Sequence, residues 1–259
     1  MIQNFAPLCD RLIDAAYQAG EAIMTVYAGE ITPGRKADHS PVTAADVAAE
    51  TLILAALDAV APGVPVIAEE QAAANGLPPS AAQEFFLVDP LDGTKEFIAR
   101  NGEFTVNIAL VQAGVPVLGI VYLPALDEMY AGFGDRAFRR CKNIEASISA
   151  RPLPPEGAVM TISRSHAAKE LVKVEDLGEH VAGTIVAGSS LKFCRIAEGV
   201  ADLYPRFGPT MEWDTAAGHA VLLAAGGSVR TLDGQPLAYG KTGFRNPHFI
   251  ARGQRRISA

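Results

Sequence analysis

The organisation of this chain follows from one segment, Phe85-Phe86-Leu87-Val88-Asp89-Pro90-Leu91-Asp92-Gly93-Thr94-Lys95-Glu96-Phe97. Its apolar beginning, residues 85–88, predicts a buried strand that Asp89-Pro90 is expected to end. Proline fixes its own φ angle and biases the residue before it towards an extended conformation, so Asp89 and Asp92 lie on a stiff turn. Carboxylates in fixed geometry suit a hard divalent cation, which prefers oxygen ligands. The segment therefore predicts a metal site at the end of a buried strand.

Composition narrows the class of protein. The chain has 259 residues, enough for one large or two modest domains. Hydrophobic residues make up 49% and charged residues 20%, which is an ordinary composition for a globular protein. The formal net charge of -7 argues against nonspecific nucleic-acid binding, although local cations or metals would still allow a small anionic ligand. Cys9, Cys141 and Cys194 are far apart and have no CxxC spacing, so reduced thiols of a cytoplasmic protein are expected.

One uncharged segment, residues 104–126, is long enough to span a membrane. It contains Asn107 and Gln112, however, and glycine and proline interrupt its middle. Two buried strands joined by a turn near Ala113-Gly114 fit this pattern better. The N-terminus also lacks the basic and apolar regions of a signal peptide, so no stable membrane insertion is expected.

The first half of the chain predicts an α+β domain over residues 1–148. Apolar residues at steps of three and four predict a helix from Phe5 to Gly29, and Thr43 caps a second helix that runs to about Val60. A short strand, 64–68, ends at Glu69-Glu70, and a mobile loop, 71–82, follows. After the Asp89 turn, antiparallel strands are predicted at 104–112, 115–122, 128–133 and 137–139, because their connections are too short for parallel crossovers.

The second half predicts an α/β domain over residues 149–259, after a proline-rich linker at 149–155. Strands and helices alternate in this half. The predicted strands are 158–162, 183–187, 203–207, 228–232 and 248–251, and the predicted helices are 191–198 and 214–225.

Acidic residues recur where predicted strands end. Glu69, Asp89 and Asp92 each lie at or just beyond the end of a buried strand, where α/β proteins usually bind ligands. Asp214 stands at the start of a predicted helix. Each acid also has a purely structural interpretation: Asp214 as a helix N-cap, Asp92 as an Asx-turn residue, Asp46 as a capping acid and Glu69 as a solvated strand end.

Two motifs resemble a known family. Residues 87–94 (LVDPLDGT) resemble the first signature of the inositol monophosphatase family of Mg-dependent, lithium-sensitive phosphatases, and residues 213–220 (WDTAAGHA) resemble its second. The Glu69-Glu70 pair lies upstream at a suitable distance, and the similarity extends over nearly the whole chain. The resemblance implies an α+β / α/β fold, a layered αβαβα sandwich of the inositol monophosphatase / fructose-1,6-bisphosphatase type.

Further segments resemble one branch of this family, whose members remove the 3'-phosphate of adenosine 3',5'-bisphosphate in sulfur assimilation and yield AMP. A polyol phosphate phosphatase acting on inositol phosphate is the alternative activity, and a noncatalytic Mg²⁺ or Ca²⁺ binding module is the alternative from another class. The segments with this resemblance are 36–46, 93–98, 100–107, 163–166, 188–194 and 204–210.

The resemblance implies a role for each acid. Glu69, Asp89 and the Leu91 carbonyl would hold one Mg²⁺, and Asp89, Asp92 and Asp214 a second, while a third ion is left open. Ca²⁺ and Li⁺ are expected to inhibit. Four carboxylates around one small site would repel one another strongly without cations between them, which agrees with this ligand set.

The resemblance also implies the residues that act on water and on the reacting phosphate. Asp46 would accept a hydrogen bond from Thr94, and Thr94 with Glu69 would orient and deprotonate the attacking water. As an alternative, Asp46 and Thr94 only cap helices, and both roles are compatible. Backbone N–H groups of Gly93 and Thr94 at a helix start would bind the phosphate.

A nucleoside bisphosphate needs contacts for its second phosphate. Lys192 and Arg206 are the candidates, since guanidinium groups suit bidentate phosphate contacts. By resemblance, Ser189 and His166 are nucleotide contacts, although a surface role for Arg206 and His166 is the alternative. The role of Lys36 and Lys95 is left undecided.

The expected partner is a small-molecule nucleotide, with no nucleic acid, and a monomer or a homodimer is left open. The expected location is the cytoplasm. The resemblance leaves open a peripheral position on the cytoplasmic side of the inner membrane, although no amphipathic basic helix in the sequence supports it.

Overall fold

A computed structural model describes residues 1–31, 34–35, 41–142, 144–163, 174, 178 and 180–254. Six α-helices, one 3-10 helix (Thr242–Phe244) and fourteen strands have defined bounds within these ranges. The helices are α1 Phe5–Ala28, α2 Ala44–Val60, α3 Glu69–Asn75, α4 Thr94–Ile98, α5 Leu191–Ala197 and α6 Ala216–Ala224. The strands are β1 Gly34–Arg35, β2 Pro41–Val42, β3 Val66–Ala68, β4 Glu84–Asp92, β5 Thr105–Gln112, β6 Val115–Leu123, β7 Glu128–Phe133, β8 Arg136–Cys141, β9 Ile144–Ser147, β10 Ala158–Ile162, β11 Val181–Val186, β12 Leu203–Arg206, β13 Ser228–Thr231 and β14 Phe249–Arg252.

The first half of the chain forms a seven-stranded sheet of order β3-β4-β5-β6-β7-β8-β9. Only β3 and β4 are parallel, and every later pair is antiparallel, which confirms the prediction from the short connections. Strand β9 was not predicted. All its residues are exposed at the edge of the sheet, so its hydrophobic pattern carries little signal.

The second half forms a five-stranded sheet of order β11-β10-β12-β14-β13. Strand β10 runs parallel to β11 and β12, while β14 is antiparallel to β12 and β13. The five-stranded sheet is therefore mixed, with both parallel and antiparallel pairs. The predicted linker at 149–155 lies between the last strand of one sheet and the first strand of the other.

Helices separate the two sheets. α1 and α2 pack on one face of the seven-stranded sheet and α6 packs on the other, where it also contacts α5 and the five-stranded sheet. Gly119 of β6 and Gly132 of β7 permit this close packing, because a Cβ at either residue would overlap the α6 backbone. The described residues thus form four alternating layers of the predicted sandwich: helices, sheet, helices, sheet.

Strand β4 continues past the residue at which it was predicted to end. Asp89 pairs with Asn107 and Asp92 pairs with Thr105, so β4 advances three residues while β5 advances two. This β-bulge places Pro90 where a missing N–H costs no ladder hydrogen bond, so the proline does not end the strand. The two acids therefore lie on a bulge at the end of a sheet strand.

Two other boundaries differ from prediction. The predicted loop 71–82 begins as part of α3, because its alanine-rich start favours helix and Glu50 accepts hydrogen bonds from the first N–H groups. Helix α6 begins at Ala216, so Asp214 precedes the N-cap position and does not cap this helix. The uncharged segment 104–126 forms β5 and β6, as predicted. Among the helices with described residues, none is long and apolar enough to cross a membrane.

Candidate active site

Three carboxylates from distant parts of the chain meet at one place. Glu69, Asp89 and Asp214 each have an oxygen within 4.8 Å of the others'. Glu69 opens α3, Asp89 lies in the β4 bulge, and Asp214 comes from the segment before α6. A set of carboxylate oxygens at this spacing fits a hard cation such as Mg²⁺ by the chemistry of its donors. The structure therefore contains a group of acids able to bind a metal ion.

Asp89 is held by its own turn. Its Oδ1 accepts a hydrogen bond from the Leu91 backbone N–H at 3.0 Å, and the residue is buried. The Asx-type contact considered for Asp92 is thus made by Asp89 instead. No hydrogen bond to the Asp92 carboxylate is found within the described ranges, which leaves that carboxylate facing the cavity.

Glu69 is positioned by a residue that the sequence interpretation missed. Glu50, buried on α2, accepts hydrogen bonds from the backbone N–H groups of Glu70 at 2.8 Å and Gln71 at 2.9 Å. A carboxylate at a helix N-terminus satisfies otherwise unpaired N–H groups and is favoured by the helix dipole. Glu50 follows Asp46 by four residues, so both lie on the same face of α2, and this spacing was the available signal.

Asp46 does cap its helix. Its Oδ2 accepts hydrogen bonds from the Thr43 backbone N–H at 2.7 Å and the Thr43 hydroxyl at 2.8 Å. Its Oδ1 lies 3.5 Å from the Thr94 hydroxyl, which is also 3.5 Å from the Leu91 carbonyl. These two contacts are long for O–H···O hydrogen bonds. Gly93, in a left-handed conformation, occupies the N-cap position of α4, so Thr94 is the first helical residue and does not cap it.

Asp214 is held at both its carboxylate and its backbone. Its Oδ2 accepts a hydrogen bond from the Met211 N–H at 2.9 Å. Its carbonyl accepts one from Ser190 Oγ at 2.8 Å, and Ser190 in turn contacts Asn107 of β5 at 3.0 Å. Asp214 is therefore tied to the seven-stranded sheet, whose strand β4 carries Asp89 and Asp92.

Burial and mutual repulsion disfavour the ionised forms of Asp92 and Asp214. Burial, with the nearby Glu69 carboxylate, raises the pKa of Asp92 to about 6, although the Lys192 ammonium acts in the opposite direction. Burial raises the pKa of Asp214 well above its usual value, and the carboxylates of Asp92 and Glu69 add to this effect. A bound cation would relieve the repulsion and return these pKa values towards the ionised range.

Two adjoining cavities open at this site. The larger, about 510 Å³, contains Glu69, Asp89, Leu91 and Thr94, and the smaller, about 200 Å³, contains Ser189. Together they are large enough for a nucleotide-sized ligand. The residues that line both cavities are Asp92, Gly93, Glu96, Arg206, Thr210 and Asp214.

The predicted nucleotide contacts fall mainly in the smaller cavity. Lys192 is buried, donates to the Ser189 carbonyl at 2.9 Å and lies 5.3 Å from the centre of the Tyr204 ring. Arg206 lines both cavities and donates to the Pro209 carbonyl at 3.1 Å. The predicted contact at His166 lies outside the described residues.

Ser189 links the two halves of the molecule. Its hydroxyl lies 2.9 Å from the carbonyl oxygen of Asp92 and 3.0 Å from that of Glu103. The Ser189 hydroxyl has a single hydrogen and therefore donates to one of these two carbonyls at a time. Gly93 permits this approach, because its φ is +92° and a Cβ there would overlap Ser189 Oγ.

Several cavity residues had not been singled out as site residues from the sequence. Glu96, Thr210 and Arg245 line the larger cavity, and Glu103 lines the smaller one. Arg245 lies on a loop far from every motif, so only the folded chain brings it to this rim. Lys95, left undecided above, also lines the larger cavity.

A layered sandwich with a carboxylate cluster at the end of strand β4 is the arrangement that the two motifs imply. The chain belongs to the inositol monophosphatase family, whose model matches residues 6–256. This is a family of metal-dependent enzymes, in agreement with the acid cluster.

The most similar proteins reported below share one name within that family. Curated proteins of Shigella flexneri and Escherichia coli (strain K12), both named 3'(2'),5'-bisphosphate nucleotidase CysQ, are 49% identical over 251 residues, covering 93% of this chain and 98% of each relative. The crystal structure of CysQ from Bacteroides thetaiotaomicron, a bacterial member of the family, is 38% identical with a TM-score of 0.80, covering 97% of this chain and 99% of that one. The resemblance stated from the sequence is confirmed.

Proposed function

We propose that this chain is a Mg²⁺-dependent phosphomonoesterase that hydrolyses the 3'-phosphate of adenosine 3',5'-bisphosphate, giving AMP and phosphate, in sulfur assimilation. The observation that carries the proposal is the cluster of Glu69, Asp89 and Asp214 beside a second cavity that contains Lys192. The name of relatives at 49% identity supports the choice of substrate. The three free cysteines agree with a reaction in the reducing cytoplasm.

The metal ligands in this proposal are those expected from the resemblance. Glu69, Asp89 and the Leu91 carbonyl would hold one Mg²⁺, and Asp89, Asp92 and Asp214 a second. Bound Mg²⁺ would offset the charge of the phosphate and activate a water for in-line displacement. The Leu91 N–H fixes one oxygen of Asp89, and Glu50 fixes the helix start that presents Glu69.

Glu69 and Thr94 act on the attacking water: Thr94 orients it and Glu69 accepts its proton. Asp46 is anchored through one oxygen by Thr43, which leaves its other oxygen directed towards Thr94. A Thr94 hydroxyl that donates to Asp46 presents its lone pairs to the attacking water, and Glu69 accepts the water's proton. Contacts of this kind are often long before substrate binds and shorten in the reactive complex, so the 3.5 Å separation is compatible with this role.

The two phosphates would bind at different places. The reacting phosphate lies against the Gly93 and Thr94 N–H groups, since these groups open α4 at the shared wall of both cavities. The distal phosphate contacts Lys192 and Arg206, and Ser189 connects Lys192 with the backbone of Asp92. Lys192 is held by the Ser189 carbonyl and therefore presents a fixed cation to an incoming anion.

A phosphate-release panel tests the proposal. Its substrates are adenosine 3',5'-bisphosphate, adenosine 2',5'-bisphosphate, adenosine 3'-monophosphate and inositol 1-phosphate, each with Mg²⁺ or with EDTA. We expect Mg²⁺-dependent release with the 3',5'-bisphosphate preferred, and inhibition by Ca²⁺ and Li⁺. A preference for inositol 1-phosphate would replace the nucleotidase with a polyol phosphate phosphatase. Absence of turnover on every substrate would favour a noncatalytic metal-binding module.

A further inference from the structure

A connected network of polar side chains lies next to the segment that carries Asp214. The network is not part of the acid cluster, and its central residues line neither cavity. Its centre is Glu212, which is fully buried. The Glu212 carboxylate accepts hydrogen bonds from the backbone N–H groups of Gly240 at 2.6 Å and Lys241 at 3.0 Å, and pairs with the Lys241 ammonium at 2.6 Å. A buried carboxylate is costly unless it is paired and hydrogen-bonded, so these donors fix the loop that carries Lys241 against Glu212.

Lys241 connects Glu212 to Asn246. Its ammonium group has three donors, directed at Glu212 Oε1, the Ala238 carbonyl and Asn246 Oδ1 at 3.3 Å. Because an ammonium group only donates, the Asn246 side-chain oxygen must face Lys241 and its NH₂ group must face the opposite way. The orientation of the Asn246 amide is therefore set by the charged pair.

The Asn246 NH₂ group contacts the residues on both sides of Asp214. It donates to the Met211 carbonyl at 2.7 Å and to Thr215 Oγ1 at 3.0 Å. Met211 is the residue whose N–H donates to Asp214 Oδ2. The Asn246 NH₂ group also lies 3.3 Å from Thr210 Oγ1, and the Asn246 backbone N–H donates to the Thr210 carbonyl at 3.0 Å. Asn246 thus holds the short segment from which the Asp214 carboxylate projects.

A second chain of hydrogen bonds supports Thr215. Its hydroxyl accepts from Tyr239 at 3.2 Å and lies 3.2 Å from the Glu212 carbonyl, while Tyr239 lies 2.9 Å from His219 Nδ1. Since Tyr239 donates to Thr215, His219 Nδ1 carries the hydrogen. Burial lowers the pKa of His219 to about 3, with the Lys241 charge as a further cause, so this imidazole is neutral and the chain stays intact at neutral pH.

We infer that Glu212, Lys241 and Asn246 are positioning residues that hold the Asp214 carboxylate in the geometry needed for Mg²⁺ binding. The inference rests on the proposed function, in which Asp214 is a metal ligand. None of the three lines either described cavity, so each acts through the Met211–Thr215 segment. Residues that orient a metal ligand from behind usually change metal affinity about 10- to 100-fold when replaced.

The test variant is Asn246→Asp in the full chain. This change keeps the shape of the side chain but places an oxygen against the Met211 carbonyl, where the NH₂ group had donated. We expect the Mg²⁺ dissociation constant, measured by isothermal titration calorimetry, to rise about 10-fold or more.

Asp202→Asn is the matched control. Asp202 is also a buried acid in the second half of the chain, bound by Arg151 and the Val159 N–H at 2.8 Å, and lines neither cavity. It should lower the melting temperature and leave Mg²⁺ affinity unchanged. Unchanged affinity in Asn246→Asp, or an equal loss of affinity in both variants, would overturn the inference.

Two further measurements complete the test. If Asn246→Asp does not fold, Asn246→Ser, which shortens the side chain but retains a donor, is titrated and judged by the same outcomes. Mg²⁺ titration of the unmodified protein and of Asp214→Asn separates a failure of the proposed metal site from a failure of the positioning role. Failure of the unmodified protein to bind Mg²⁺, or full binding by Asp214→Asn, would refute the proposed function, whereas intact binding by Asn246→Asp alone would refute only the positioning role.

Discussion

Replacing Asp92 with asparagine should stabilise the metal-free protein at neutral pH. Burial and the Glu69 carboxylate raise the pKa of Asp92 from its ordinary 3.8 to about 6, with Lys192 opposing the shift. An acid with a raised pKa in the folded state binds more protons when folded than when unfolded. Its contribution to stability is present below pH 3.8 and is lost as the pH rises to 6.

The size of the effect follows from the shift. A rise of roughly two pKa units corresponds to about 3 kcal/mol, nearly all of it lost above pH 7 and about half of it at pH 5. Asparagine has the shape of aspartate without the charge, and the Asp92 carboxylate has no hydrogen bond to lose in the described part of the chain. For a protein of this size, about 3 kcal/mol corresponds to a gain of roughly 6–12 °C in melting temperature.

The assay is thermal and urea unfolding in EDTA at pH 5 and pH 7.5. Asp58→Asn, on the exposed side of α2, is the control and should be neutral at both pH values. Adding Mg²⁺ should stabilise the unmodified protein more than Asp92→Asn, because the variant has lost a proposed ligand. The reasoning would be refuted if Asp92→Asn were no more stable than the unmodified protein at pH 7.5. An equal gain at both pH values would also refute it.

Four substitutions test the remaining parts of the site. Asp89→Asn should abolish turnover in a folded protein, checked by phosphate release beside circular dichroism; full activity would remove the two-metal interpretation. Arg206→Ala should lower kcat/KM about 10- to 100-fold for the bisphosphate and much less for adenosine 3'-monophosphate, whereas equal losses would exclude a distal-phosphate contact. Thr94→Ala should lower kcat about 100-fold with a small change in KM, and a change in KM alone would make it only a phosphate contact. Gly93→Ala should cost about 1–3 kcal/mol in urea unfolding, because its φ is +92° and the new Cβ meets Ser189; unchanged stability would show that the turn adapts.

The strands and the long helices were predictable because their signals are local. Alternating or continuous apolar runs predicted most strands of both sheets, and three- and four-residue periodicity with Thr43 as cap predicted α1 and α2. The motifs around Asp89 and Asp214 are short contiguous segments, so the sequence could single out these two acids, which the fold brings together with Glu69. The edge strand β9 gave no such signal, and Pro90 pointed to a strand end at which the chain instead forms a bulge.

The amino-acid sequence by itself determined the family, the order of most helices and strands, and the acids expected around a metal. Only the tertiary structure decided how those acids are held. Glu50 contacts Glu70, the neighbour of Glu69, across 20 residues of chain, and Asn246 contacts Met211 across 35. Such contacts depend on elements that meet only in the folded chain, α2 with α3 in the first case and two loops in the second. No periodicity in the sequence encodes which distant polar groups will then pair.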